Sequence, residues 1–139
     1  AESVHSIETV CFSDPWSCAS FIEAMKNSAM SFFAAVDMAE KIIGYAGIAV
    51  AADESELLNI AVTPGSRNRG VASALLDHAF TLAEKNGAHT MYLEVRESNT
   101  PARTLYAKFG FKDIGIRKNY YTSPKENGIV MMAKINAQL

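Results

Sequence analysis

Arg67, Asn68, Arg69 and Gly70 stand within "TPGSRNRGVASALL", residues 63 to 76, between an apolar run that reads as a strand and one that reads as a helix. A strand that ends in a glycine-containing turn and feeds a helix presents unpaired backbone N–H groups at the positive end of the helix dipole. That is a place for an anion. Arg67 and Arg69 add charge, Gly70 lets the main chain come close to a ligand, and Ala72 keeps the helix surface low behind it. Phosphate is the natural occupant. Taken alone, the turn reads first as an ordinary strand-to-helix connection with solvated arginines, so a second signal is required.

The elements that must position this turn follow from periodicity. Val4, Ile7 and Cys11 lie at helical spacing, Asp14-Pro15 resembles a cap with proline at the first helical position, and a second helix is expected to bury Phe21 and Met25. From residue 32 to 50 the pattern changes to "FFAAVDM", a turn at "AEK" and "IIGYAGIAVA", which predicts two antiparallel strands. "ELLNIAV", 56 to 62, predicts a third. From Gly70, residues Val71, Ala72, Leu75, Leu76, Ala79, Phe80 and Ala83 recur at helical spacing until Asn86-Gly87 supplies a stop. Residues 90 to 96 predict a short strand; Asn99 or Thr100 caps, Pro101 opens and Gly110 closes a brief helix. Two last strands, near 111 to 118 and 128 to 135, flank "NYYTSPKEN". The order predicts an α+β domain with mixed strand pairing.

At 139 residues the chain has the size of one domain, 1–139, able to bury a core without disulfides or metals. Its 13 Lys plus Arg against 15 Asp plus Glu leave a net charge of -2, which argues against a nucleic-acid partner. Cys11 and Cys18 have no metal-ligand spacing, so no metal is expected. With no apolar run near the ~18 residues that span a bilayer, the expectation is a cytoplasmic monomer without a membrane partner.

The second signal lies downstream. R-x-x-G-x-A at 67 to 72 resembles the coenzyme A pyrophosphate loop of the GCN5-related N-acetyltransferase (GNAT) superfamily, and the strand "NIAVTP" precedes it as in that family. "EVRESNTPARTLYAKFGF", 94 to 111, matches the family segment N-x-x-A-x-x-L-Y-x-x-x-G-F at each named position. Within the superfamily, "DPWS", "NIAV", "LEVRESN" and "RKNYY" are most similar to the bacterial RimI branch, which acetylates the N-terminal alanine of a small-subunit ribosomal protein. The family opens with a strand before its first helix, whereas this sequence starts within that helix, so the first strand is expected to be absent.

The resemblance implies a GNAT fold with splayed strands, acetyl-CoA as cofactor, and the N-terminal peptide of a ribosomal protein as partner. It implies that Ile60, Ala61 and Val62 hold the pantetheine arm, with an N–H near Ala61 or Val62 facing the acetyl oxygen. Arg67, Asn68, Arg69, Gly70, Val71, Ala72 and Asn99 would hold the rest of the cofactor. An α-amino group with pKa of about 7.7 to 8.0 needs only a modest base, for which the branch points to Glu94; the alternative is a surface glutamate paired with Arg96 or Arg117. Tyr106 would be the general acid, or else core packing with Leu105 and Phe109. Trp16, Tyr120 and Tyr121 would line the peptide entrance, and Asp14, Asp53, Glu54 and Glu56 could attract an arginine-rich tail or simply be solvated. Lysine or small-amine acetylation and a non-catalytic acyl-CoA-binding module are the rival readings.

Overall fold

The computed structural model describes residues 20–25, 30–67 and 70–135. One seven-stranded sheet runs through them in the order β1-β2-β3-β4-β5-β7-β6. Its strands are β1 (Ser20–Met25), β2 (Met30–Val36), β3 (Ile42–Ala51), β4 (Glu54–Val62), β5 (Thr90–Arg96), β6 (Lys112–Thr122) and β7 (Lys125–Lys134). Helix α1 (Val71–Lys85) follows β4 and α2 (Thr100–Lys108) follows β5. Every adjacent pair is antiparallel except β4 and β5. Among the described residues no helix is long and apolar enough to cross a membrane.

The strand and helix expectations from residue 30 onward hold, with two changes. The helix expected around Phe21 and Met25 is absent, and that segment is strand β1, paired with β2 from Ser20↔Val36 to Met25↔Ser31. Two apolar residues four apart in so short a run cannot separate helix from strand, and the free edge of β2 offers partners to its backbone groups. The earlier expected helix, its cap at Asp14-Pro15 and the missing first strand lie outside the described residues. The connection expected at "NYYTSPKEN" is largely strand, because β6 and β7 continue to a tight turn at Ser123-Pro124.

One face of the sheet carries the core. Leu75, Leu76, Ala79 and Phe80 of α1 pack with Ala46, Ile48, Leu57, Met91, Leu93 and Met131, all buried. α1 settles close to β3 because Gly44 has no side chain: a Cβ there would lie 2.9 Å from the Ala61 carbonyl oxygen, 3.1 Å from Leu75 Cδ1 and 3.2 Å from Val71 Cγ1. That contact sets the start of α1 beside the end of β4.

The parallel pairing of β4 and β5 spans only Glu54↔Thr90, Ser55↔Met91 and Glu56↔Tyr92. Immediately after it, β4 carries a bulge, since Gly47 pairs with Asn59 and Ile48 with Leu57, leaving Leu58 as the extra residue. A bulge bends the strand that bears it. From Leu58 to Val62, β4 therefore follows β3 and leaves β5, and the two strands enclose a wedge.

Gly44→Ala is expected to destabilise the fold by about 1–3 kcal/mol through overpacking, lowering Tm by several degrees, roughly 3–8 °C per kcal/mol at this size. Gly65, whose Cβ would meet nothing within 4 Å, serves as the control. Equal melting of both alanine variants in calorimetry would refute the close contact.

Candidate active site

The wedge opens into a cleft of about 670 Å³ lined by Ile60, Ala61, Val62, Arg67, Gly70, Val71, Ala72, Asn99 and Tyr106, together with Ser66, Ser73, Pro101, Ala102 and Leu105. Nine of the expected cofactor-binding residues thus meet in one place. Asn68 and Arg69 lie outside the described residues, as does Trp16.

Backbone direction decides which of these residues offers what. The Ala61 carbonyl faces β3 at Gly44, and Thr63 N–H donates to Ile43 O at 2.9 Å. Successive residues of a strand turn their N–H and C=O groups to opposite edges, so Ile60 and Val62 turn theirs into the cleft. Of the two expected alternatives for an N–H facing the cleft, Ala61 turns its N–H to the β3 side, which leaves Val62. The Val62 carbonyl accepts from Arg67 Nε at 3.2 Å, which holds that arginine against the mouth of the wedge.

At the other wall α1 begins after Gly70, a left-handed residue at φ 77° that makes no side-chain cap, and its first turn has no acidic residue. Val71 buries its side chain against β3, so its share of the cleft lies in its backbone. The first N–H groups of this 15-residue helix lie at the positive end of its dipole, where an anion would be favoured.

Tyr106 is placed by the end of α2. Gly110, at φ 91°, turns the chain so that its N–H donates to Ala107 O at 3.0 Å and Phe111 N–H donates to Tyr106 O at 3.1 Å. This pair of bonds is the Schellman closure, whose apolar contact joins the residues at its two ends. Here that contact is Tyr106 on Phe111, edge to face at 5.7 Å. Tyr106 packs on Phe111 in the core against which Leu105 and Phe109, the expected neighbours, also pack, and it lines the cleft as well. Burial, followed by the nearby Tyr121, pushes its phenol up to about 12. Asn99 caps the same helix, accepting from Ala102 N–H at 3.3 Å, while lining the cleft.

Glu94 lies apart from these residues. It alternates with core-facing Leu93 and Val95 on β5 and lines a second cavity of about 320 Å³ with Glu54, Glu56, Tyr92 and Arg117. Of the two partners expected for it, Arg117 is the one present: its Nε lies 2.5 Å from Glu94 Oε2. The approach is not aligned as a hydrogen bond, and that oxygen is buried without an aligned donor. Tyr120 hydrogen-bonds to Glu94, which raises the Tyr120 phenol; burial and then Glu94 raise Tyr121. The two tyrosines meet edge to face at 5.1 Å. Glu94 raises Tyr121 and Tyr121 in turn raises Tyr106, so Tyr121 lies near enough to both to feel one and act on the other.

Arg96 has a different task. It donates to Pro124 O at 2.9 Å and Ser123 O at 3.1 Å, pairs with Glu126 at 3.3 Å, and lies 4.4 Å from the Tyr121 ring centre. Glu126 also accepts from Ser98 N–H, and its carboxyl is drawn below the usual range by the Ser98 side chain first, with this backbone bond and Arg96 adding to it. Asn127 reaches from Glu97 Oε1, at 3.2 Å, to the Asn119 N–H, at 3.0 Å. These contacts tie the β6–β7 turn to β5. They had no signal in the sequence beyond ordinary surface charge, because each depends on strand register, which also decided between Arg96 and Arg117 as the partner of Glu94.

A model of the acetyltransferase (GNAT) family matches residues 1–111. The chain belongs to that family. Like other GNAT acetyltransferases it is an acyltransferase that uses acetyl-CoA. It is 35% identical over 136 residues to the ribosomal protein bS18-alanine N-acetyltransferase of Escherichia coli K12, covering 96% of this chain and 90% of that one. The Haemophilus influenzae enzyme of the same name is 37% identical over 135 residues, with 94% and 89% covered. The crystal structure of the E. coli ribosomal-protein-S18-alanine N-acetyltransferase aligns with a TM-score of 0.73 at 37% identity, over 79% of this chain and 72% of that one.

The raised Tyr106 phenol has a definite consequence. The stability that comes from keeping it protonated is complete below about pH 10 and is lost as pH climbs toward about 12. Ultraviolet titration should show one tyrosinate, missing in Tyr106→Phe, appearing only near pH 12; its appearance near pH 10 would contradict the burial.

Proposed function

We infer that this chain transfers an acetyl group from acetyl-CoA to the N-terminal amine of a protein, with the alanine of ribosomal protein bS18 as its substrate. The observation that carries the reading is identity of about 35% across nearly the whole length to enzymes named for that reaction. The wedge beside Val62 fits the acetyl-CoA that the family uses: it offers unpaired strand backbone for amide groups and an uncapped helix start for phosphates.

When bound, acetyl-CoA supplies an activated thioester carbonyl. The chain supplies the rest. Ile60 and Val62 present backbone groups to the pantetheine arm, and Arg67 with the first N–H groups of α1 meets the pyrophosphate. Asn68 and Arg69 join this set by their place in the motif. Val62 N–H, turned into the cleft, would be the donor for the thioester carbonyl oxygen, on which negative charge develops. Glu94 accepts the proton of the amine, directly or through a water, which is undemanding for an α-amino group with pKa of about 7.7 to 8.0. Tyr106, kept protonated by its burial, would donate a hydrogen bond to the cofactor's sulfur. A phenol near 12 gives up its proton reluctantly to a thiolate of about 8.5, so it works here as a donor more than as an acid. Tyr120 and Tyr121 form one wall for the peptide backbone, with Trp16 assigned to the facing wall.

Intact-mass analysis should find a single acetyl group on an Ala-Arg-initiated peptide and none on the same peptide with a blocked N-terminus and free lysines. Glu94→Gln should lower kcat by about 10²- to 10⁴-fold, and Tyr106→Phe by about 10- to 100-fold, the worth of one hydrogen bond to a charged group. Acetylation of the blocked peptide would assign the lysine branch, and full turnover in Glu94→Gln would remove the base.

A further inference from the structure

Glu94 meets an internal cation before it meets any substrate. Arg117 Nε sits 2.5 Å from Oε2, and a guanidinium stays protonated throughout the range in which proteins work. A base that is to receive a proton from an ammonium group gains nothing from that neighbour, which occupies the ground an incoming amine needs.

The pairing is made deliberately available by the backbone. Residues three apart on a regular strand point to opposite faces, yet both Arg117 and Tyr120 engage Glu94. A bulge allows it: Arg117 pairs with Gly128 and Tyr121 with Glu126, so residues 118 to 120 oppose Asn127 alone. Asn119, at φ 54°, bends there and is held by the Asn127 side chain.

The pair is also asymmetric. The Glu94 side chain is 18% exposed, whereas that of Arg117 is 60% exposed. The carboxylate is held while the guanidinium, on a long flexible stem, can leave. Glu54 and Glu56, both exposed, line the same cavity and offer it other carboxylates.

We propose that Arg117 is a displaceable counter-ion, a positioning residue that holds Glu94 in the empty site and yields to the substrate's N-terminal ammonium, moving to Glu54 and Glu56. Arg117 thereby competes with the incoming cation: an ammonium group can replace its charge without leaving Glu94 unpaired, whereas a neutral group leaves the pair in place.

The inference rests on the reading of Glu94 as the group that faces the amine, so its test is equilibrium binding, separate from turnover. Calorimetry on the coenzyme A complex would compare wild type, Arg117→Gln and Arg117→Lys, using an Ala-initiated peptide and its N-formylated form. Arg117→Gln should bind the free-amine peptide about two- to fivefold more tightly, the range that an exposed ion pair's strength allows. It should leave the formylated peptide unchanged, and Arg117→Lys should restore wild-type affinity. Equal tightening of both peptides would reduce Arg117 to general charge repulsion, and unchanged or weaker binding of the free amine would overturn the proposal. Failure of the catalytic reading shows elsewhere, as acetyl transfer that is absent in wild type or intact in Glu94→Gln.

Discussion

Two parallel strands that stop pairing after three residue pairs leave a row of backbone donors and acceptors without strand partners, and the rest of this structure is arranged around that row. Buried backbone groups without partners are costly, so such a wedge persists only if the fold holds it open and something polar can fill it. Leu58 holds one side by bending β4 along β3. The antiparallel bonding of β5 to β7, from Thr90↔Lys134 to Arg96↔Gly128, holds the other.

The helices complete the same arrangement. Because Gly44 lets α1 lie close on β3, the positive start of α1 falls at the mouth of the wedge, beside Arg67 and Val62. Because Gly110 closes α2 on itself, Tyr106 is turned back against Phe111 with its ring buried and still reaches the cleft. On the proposed reading, much of what meets the cofactor is main chain, whose position follows from the sheet rather than from flexible side chains.

Charge chemistry is kept on the opposite face. Glu94, Glu54, Glu56 and Arg117 share an open cavity, while Tyr106 sits in apolar surroundings that hold its proton. Tyr120 and Tyr121 join the two, and Arg96, Glu126 and Asn127 brace the hairpin that carries them. The proposed base and the proposed hydrogen-bond donor thus stand in different surroundings, the carboxylate among charged groups and the phenol among apolar ones.

Much of this is legible in residue order. The turn chemistry around Gly70 and Gly110, the cap at Asn99, and the apolar spacing from Val71 to Ala83 are local, since each is settled by contacts within a few residues. They determined the helices, most strands and the two motifs that identify the family. Tertiary structure decided the rest. Ser20–Met25 became a strand because an open sheet edge outweighed a weak helical spacing. The choice of Val62 over Ala61, and of Arg117 over Arg96 as partner of Glu94, followed from register. A sequence states which side chains alternate along a strand, but which edge its backbone groups face and which charge lies across from it depend on partners far away in the chain.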